Sequence, residues 1–228
     1  MSSDIITVHC GLNSASPAYV HEHLLREHSN KLADLIDGAE QTGEDDVAIT
    51  IGLVDSAMHK WCIWLYGQPL DKQGDDPSRA AVDLCRIHQF SMDMGDHRCA
   101  NACVDALREI ITRDHATLDV DLGTLLDFLG QEQQAVRMLV DMLVYGPCAR
   151  SGKTQEWMTK TKVEERWVHF FYQLGITFAT KVADEALGND DPRPNIMGTH
   201  AYHIGDTASG ACCGLAADTV GDVSSPTI

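Results

Sequence analysis

Hydrophobic and polar positions alternate twice within the first 51 residues. Ile6, Val8 and Cys10 interleave with Ile5, Thr7 and His9, and Val47, Ala48, Ile49, Thr50 and Ile51 repeat the pattern. A period of two predicts short strands with one buried face. Gly11 to Pro17 is rich in turn formers, so Ala18, Tyr19 and Val20 read as the second arm of a hairpin. Beyond these the period becomes helical. Val54, Ala57, Met58, Trp61 and Leu65 form one stripe. Ala81, Leu84, Cys85 and His88 form a second, and Cys99, Cys103, Ala106, Leu107 and Ile110 a third. Leu122, Leu125, Leu126 and Leu129 follow, with Asp121 as their N-cap, and then Val136, Leu139, Val140 and Leu143. The last stripe runs through Val163, Trp167, Phe170, Phe171, Leu174, Phe178 and Val182 and stops at Gly188. It is too apolar to stay in water and is expected to pack on the body or on another subunit. Gly67 to Ser78 and Gly146 to Lys153 read as loops. The pattern predicts an α+β chain. A small sheet capped by helices occupies residues 1–115, and an all-helical extension packs against it over 116–188. Residues 189–228, poor in large apolar groups, are expected to form a disordered tail.

Composition narrows the function classes. Hydrophobic residues make up 44% of the 228, enough for a substantial core. Seventeen basic residues against 34 acidic ones leave a net charge of −17. That balance opposes phosphate neutralisation on nucleic acid and docking on anionic lipid. No apolar run approaches the ~18 residues of a membrane helix, and Met1-Ser2-Ser3-Asp4 lacks a secretory pattern. The expectation is an intracellular protein of cytoplasm or nucleus with neither nucleic acid nor membrane as partner. Eight cysteines fit that compartment as free thiols.

The first half carries a resemblance in the order of its elements: strand, turn, strand, two short helices, a third strand, then helices around a loop. Asp4-Ile5-Ile6-Thr7-Val8 resembles the opening strand of the BTB/POZ family, and residues 20–25 (Val20, His21, Glu22, His23, Leu24, Leu25) resemble its Val-His-Lys-x-Leu-Leu. Ser29, Leu32 and Leu35 stand where that family has a Ser and the apolar residues of the next helix. Trp64-Leu65-Tyr66-Gly67 is similar to its aromatic-Leu-Tyr-Thr-Gly signature, and Cys103 with Leu107 to a later helix. The resemblance covers about residues 4–113, and the helices beyond 116 are similar to extensions in the divergent members common in filamentous fungi. Asn30-Lys31 replaces an aromatic pair, Glu22 replaces a Lys, and the signature Thr is missing. These departures bear on the dimer and the cullin contact more than on the fold. The resemblance implies a non-catalytic interaction module that associates with itself or recruits a protein partner, with a cullin-type ubiquitin ligase scaffold as one candidate. It places Ile5, Ile6, Leu24 and Leu25 near the dimer surface, and Leu65, Tyr66 and Gly67 near the region leading to the cullin contact.

Side-chain roles follow. Val20, Leu24, Leu25, Leu32, Leu35 and Ile36 are expected to pack on the sheet against Trp61 and Leu65, with Trp61 and Trp64 dominating. His21 is expected to lock the strand-to-helix turn through a backbone bond, whereas His23 and His28 are expected in solvent.

The sharpest rival chemistry is Gly146-Pro147-Cys148-Ala149-Arg150-Ser151-Gly152-Lys153-Thr154. A phosphate loop needs Gly, four residues, then Gly-Lys-Ser/Thr after a strand. Here the first Gly comes one residue early, and Pro147, which offers no N–H, takes its place. Residues 138–145 suit either a strand or a continuing helix. The alternative function is therefore a nucleotide-binding enzyme using Gly152, Lys153 and Thr154. For metal, Cys85-x-x-His88 and Cys99-x-x-x-Cys103 have ligand-like spacing, but they sit in apolar stripes where Cys packs as a small hydrophobe. His200, His203, Cys212 and Cys213 lie in the tail. No nucleophile elbow is present, and the acidic groups Glu44-Asp45-Asp46 and Asp75-Asp76 read as solvated turns. No cofactor, metal or catalytic residue is assigned.

Overall fold

The computed structural model describes residues 5–11, 16–41, 47–70, 76–129, 133–161 and 164–186. Asp4, the Glu44-Asp45-Asp46 run, Val163, the Gly188 stop and the expected tail lie outside the described residues.

Three strands form one sheet in the order β2-β1-β3. Strand β1 (Ile5–Cys10) pairs antiparallel with β2 (Ala18–His21) and parallel with β3 (Ala48–Ile51). A parallel partner needs a crossover, supplied by helices α1 (Glu22–His28) and α2 (Asn30–Glu40). The alternation works as the sequence predicts: Ile6, Val8, Cys10, Val20, Ile49 and Ile51 are all buried on the inner face. Leu25, Leu32 and Ile36 cover them from the crossover. Leu35, one step round α2, lies outside this face and is exposed, contrary to expectation.

Helix α3 (Asp55–Leu65) brings Ala57, Met58, Trp61 and Leu65 into the core. Trp61 meets Phe90 edge to face, with centroids 5.2 Å apart. Trp64, expected to share this role, is only partly buried and meets the His28 ring at a tilt of 60°, with centroids 4.8 Å apart. Helix α4 (Pro77–Met94) begins inside the predicted loop. Asp76 accepts hydrogen bonds from the Ser78 and Arg79 N–H groups, and Pro77 takes the first helical position. The next helix, α5 (His97–Asp114), turns back along α4 and is capped by Asp96, whose Oδ1 accepts from Cys99 N at 3.0 Å.

The extension comprises α6 (Leu122–Leu129), α7 (Gln133–Val144), α8 (Pro147–Ser151), α9 (Lys153–Lys160), a single 3₁₀ turn (Glu165–Trp167) and α10 (Val168–Ala186). Asp121 caps α6 as predicted, accepting from Thr124 N at 3.1 Å. Helix α6 lies on α4, α7 lies on α5, and α10 lies on α7. One continuous hydrophobic cluster joins Ile6 of the sheet to Leu174 of α10. The fold is thus α+β, a small sheet capped by helices followed by a helical extension. Among the described residues, no helix is long and apolar enough to cross a membrane.

Candidate functional site

The outer face of the sheet carries Ile5, Tyr19, Ala48 and Thr50, which are exposed, and Thr7, His9 and His21, which are half-buried. Side chains of paired residues share a face, so Ile5 stands beside His21 and Thr7 beside Tyr19. Tyr66, just past the end of α3, closes the patch. Its hydroxyl lies 2.7 Å from His21 Nδ1 and accepts from the His21 backbone N–H at 3.2 Å. His21 thus fixes the strand-to-helix turn through a distant tyrosine rather than a neighbouring backbone group. Ile5, Tyr19 and Tyr66 are 46–66% exposed.

The seven expected interaction residues divide by burial. Ile5, Tyr66 and Gly67 are exposed, and Leu24 is half-buried. Ile6, Leu25 and Leu65 point into the core, with at most 4% of their surface exposed. A partner cannot touch those three without opening the chain. Alternation along β1 explains why adjacent Ile5 and Ile6 differ.

His28 departs from the solvated position expected of it. Its side chain is nearly buried, and its Nδ1 lies 3.2 Å from Asp96 Oδ2. Ser29 caps α2 by accepting from Leu32 N and donates to the Met94 carbonyl at 2.6 Å. Lys31 bonds the Asp93 carbonyl. Residues 28–31 therefore staple the crossover to the α4–α5 turn. His23 is exposed, as expected.

Residues 146–154 do not form a phosphate cradle. Residues 133–144 are helix α7 rather than a strand. Gly152, at φ +77°, joins α8 to α9. Lys153 is buried against the Trp157 ring, with Nζ 3.2 Å from Glu156. Thr154 donates to the Leu143 carbonyl at 2.7 Å. The groups that would grip phosphate are bonded within the chain.

Sequence reasoning missed one polar centre. Asp83, 1% exposed, accepts from Ser56 Oγ at 2.9 Å and lies 3.6 Å from Arg86. Its second oxygen, Oδ2, has no hydrogen-bond partner among the described residues. It lines a cleft of about 700 Å³ between the start of α3, the first turns of α4 and the approach to α6. Asp76 and Asp121 also line it, but both are committed to helix caps. The arrangement anchors α3 to α4.

Cys85, His88, Cys99 and Cys103 are all buried. Burial pushes the Cys85 thiol up to about 12 and holds the His88 imidazole down at about 4. Cys103 is raised by burial and by its contact with Cys99. Among the described residues, no group of three or more His, Cys, Asp or Glu is placed to hold a metal ion. The six described cysteines are free and buried. No family model matches the chain, and no curated protein and no solved structure matches it.

Proposed function

We propose that this chain is a non-catalytic protein-interaction module whose docking surface is the outer face of the sheet with the end of α3. The carrying observation is the exposed cluster of Ile5, Tyr19 and Tyr66 around His21, on a sheet whose other face is fully covered. Aromatic side chains with one polar end suit a protein partner, because they bury large area at low conformational cost. Tyr66 is held by His21, so part of that cost is met before binding.

The residues that resemble BTB/POZ domains support a more specific form, self-association or an adaptor that recruits a cullin-type ubiquitin ligase scaffold. The element order behind that resemblance is present in the fold. This narrower form rests on resemblance alone.

The test is the double variant Ile5→Asp, Tyr19→Asp. Both side chains are exposed, so the circular dichroism spectrum should stay that of the native chain. Partners captured by the native protein should be lost by the variant, and titration with a purified cullin tests the narrower form. If the variant keeps every partner, this face is not the docking surface.

A further inference from the structure

The Asp83 carboxylate is held at one oxygen only. Oδ1 accepts from Ser56 Oγ and has the Arg86 guanidinium 3.6 Å away. Arg86 itself lies over the Phe128 ring, 5.1 Å from its centroid. Oδ2 meets no donor among the described residues, although the side chain is 99% buried. A buried carboxylate oxygen is a strong acceptor, and leaving it unmatched is costly unless a donor comes from outside the chain.

Asp83 lines the cleft of about 700 Å³ between α3, α4 and the approach to α6. Small-molecule sites span ~300–1,000 Å³. Five aspartates line this cleft against two arginines, Arg79 and Arg86, which leaves three negative charges in excess. A recess of one sign concentrates ions of the other. The neighbouring hollow of about 540 Å³, which Asp83 also touches, shows no such excess, because Lys60 and Arg79 match its two aspartates.

We infer that this cleft binds a primary alkylammonium group, its nitrogen donating to Asp83 Oδ2 and its carbon chain lying along Val54, Val82 and Val120. Three observations select that cation. Among the described residues no group of three or more His, Cys, Asp or Glu is placed to hold a metal ion, so the aspartates do not converge as ligands. With Oδ1 taken by Ser56, Asp83 offers one oxygen. A guanidinium fork seeks two, whereas an ammonium is a point charge that one deep acceptor can hold. The three valines in the lining give a methylene stem an apolar wall while its head stays with the carboxylates. A free aliphatic amine and the lysine side chain of a partner share this chemistry. The cleft is separate from the sheet face, and neither reading depends on the other.

Calorimetric titration of the full chain is the test, with pentylammonium, ethylammonium, tetramethylammonium and calcium as separate probes. Pentylammonium should bind saturably at one site. Ethylammonium should bind about tenfold or more weakly, having three fewer methylenes to bury. Tetramethylammonium carries the same charge but no N–H, and should not bind. Asp83→Asn should weaken pentylammonium about tenfold or more, since a charge-assisted bond becomes a neutral one. Asp119→Lys, at an exposed position of the cleft, brings a competing ammonium and should do the same. It keeps the test decisive should a lowered melting temperature show that Asp83→Asn folds poorly. Two further probes separate the sources. Tighter binding of 1,5-diaminopentane than of a blocked pentapeptide with one lysine assigns the site to free amines, and the reverse order assigns it to a partner's lysine. No saturable binding of any ammonium would overturn the inference, leaving Oδ2 to water. So would equal binding of tetramethylammonium, calcium bound in place of the amines, or binding unchanged in both variants.

Discussion

His88 is an imidazole inside an apolar helix pair, and neither ring nitrogen has a hydrogen-bond partner among the described residues. Burial therefore favours the uncharged ring and lowers its pKa from 6.5 to about 4. The unfolded chain takes up this proton as pH falls below 6.5, while the folded chain resists until about 4. The unfolded state thus binds more protons throughout that window, and stability falls as pH falls through it. At ~1.4 kcal/mol per pH unit the full loss is about 3 kcal/mol. His88→Leu removes this proton linkage. Melting temperatures measured from pH 7 to 4 should decline less steeply for the variant than for the native chain, and parallel curves would exclude His88 as the cause. Spacing placed His88 correctly on a buried stripe. Asp83 was illegible because its role depends on Ser56 and Arg86, one of them brought from another helix.

Elements were more legible than their surroundings. Period-two and period-3.6 patterns located the strands and most helices, since each buries one face whatever its neighbour is. Where a helix meets that neighbour is a tertiary fact, and there the reading failed. Leu35 sits beside a buried row, and His28 faces Asp96 across 68 positions of sequence. The candidate surface was half legible: Ile5, Tyr66 and Gly67 are exposed, but Ile6, Leu25 and Leu65 serve the core. Gly123 shows how little a sequence says about close approach. A Cβ there would stand 2.5 Å from the Trp167 ring, which is held by Nε1 donating to Asp127 at 3.1 Å. The Arg166 guanidinium, paired with Asp127, stacks over the same ring. Gly123→Ala should therefore destabilise by about 1–3 kcal/mol, despite alanine's better helix propensity, because the indole must shift. Urea unfolding measures this. An increase in stability would show that Trp167 can move at little cost.

For the whole molecule, the question is whether the sheet-bearing half stands alone. The hydrophobic cluster crosses the boundary between residues 114 and 118 without a break: Leu107, Ile110 and Ile111 of α5 join Leu118, Leu122, Leu139 and Leu143. Helix α4 thus packs on α3 and α2 of the sheet-bearing half and on α6 of the extension, while α5, lying along α4, packs on α7 and α8. A large buried aliphatic side chain contributes about 1.5–3 kcal/mol, so exposing even half a dozen would match the ~5–15 kcal/mol that holds a whole domain together. Truncation after Asp114 should consequently abolish cooperative thermal unfolding and drive the fragment into aggregates, read by circular dichroism and light scattering. A fragment that stays soluble and melts sharply would mean that the strands with α1–α5 hold a self-sufficient core, and that the extension is a separate module carrying its own exposed helix α10.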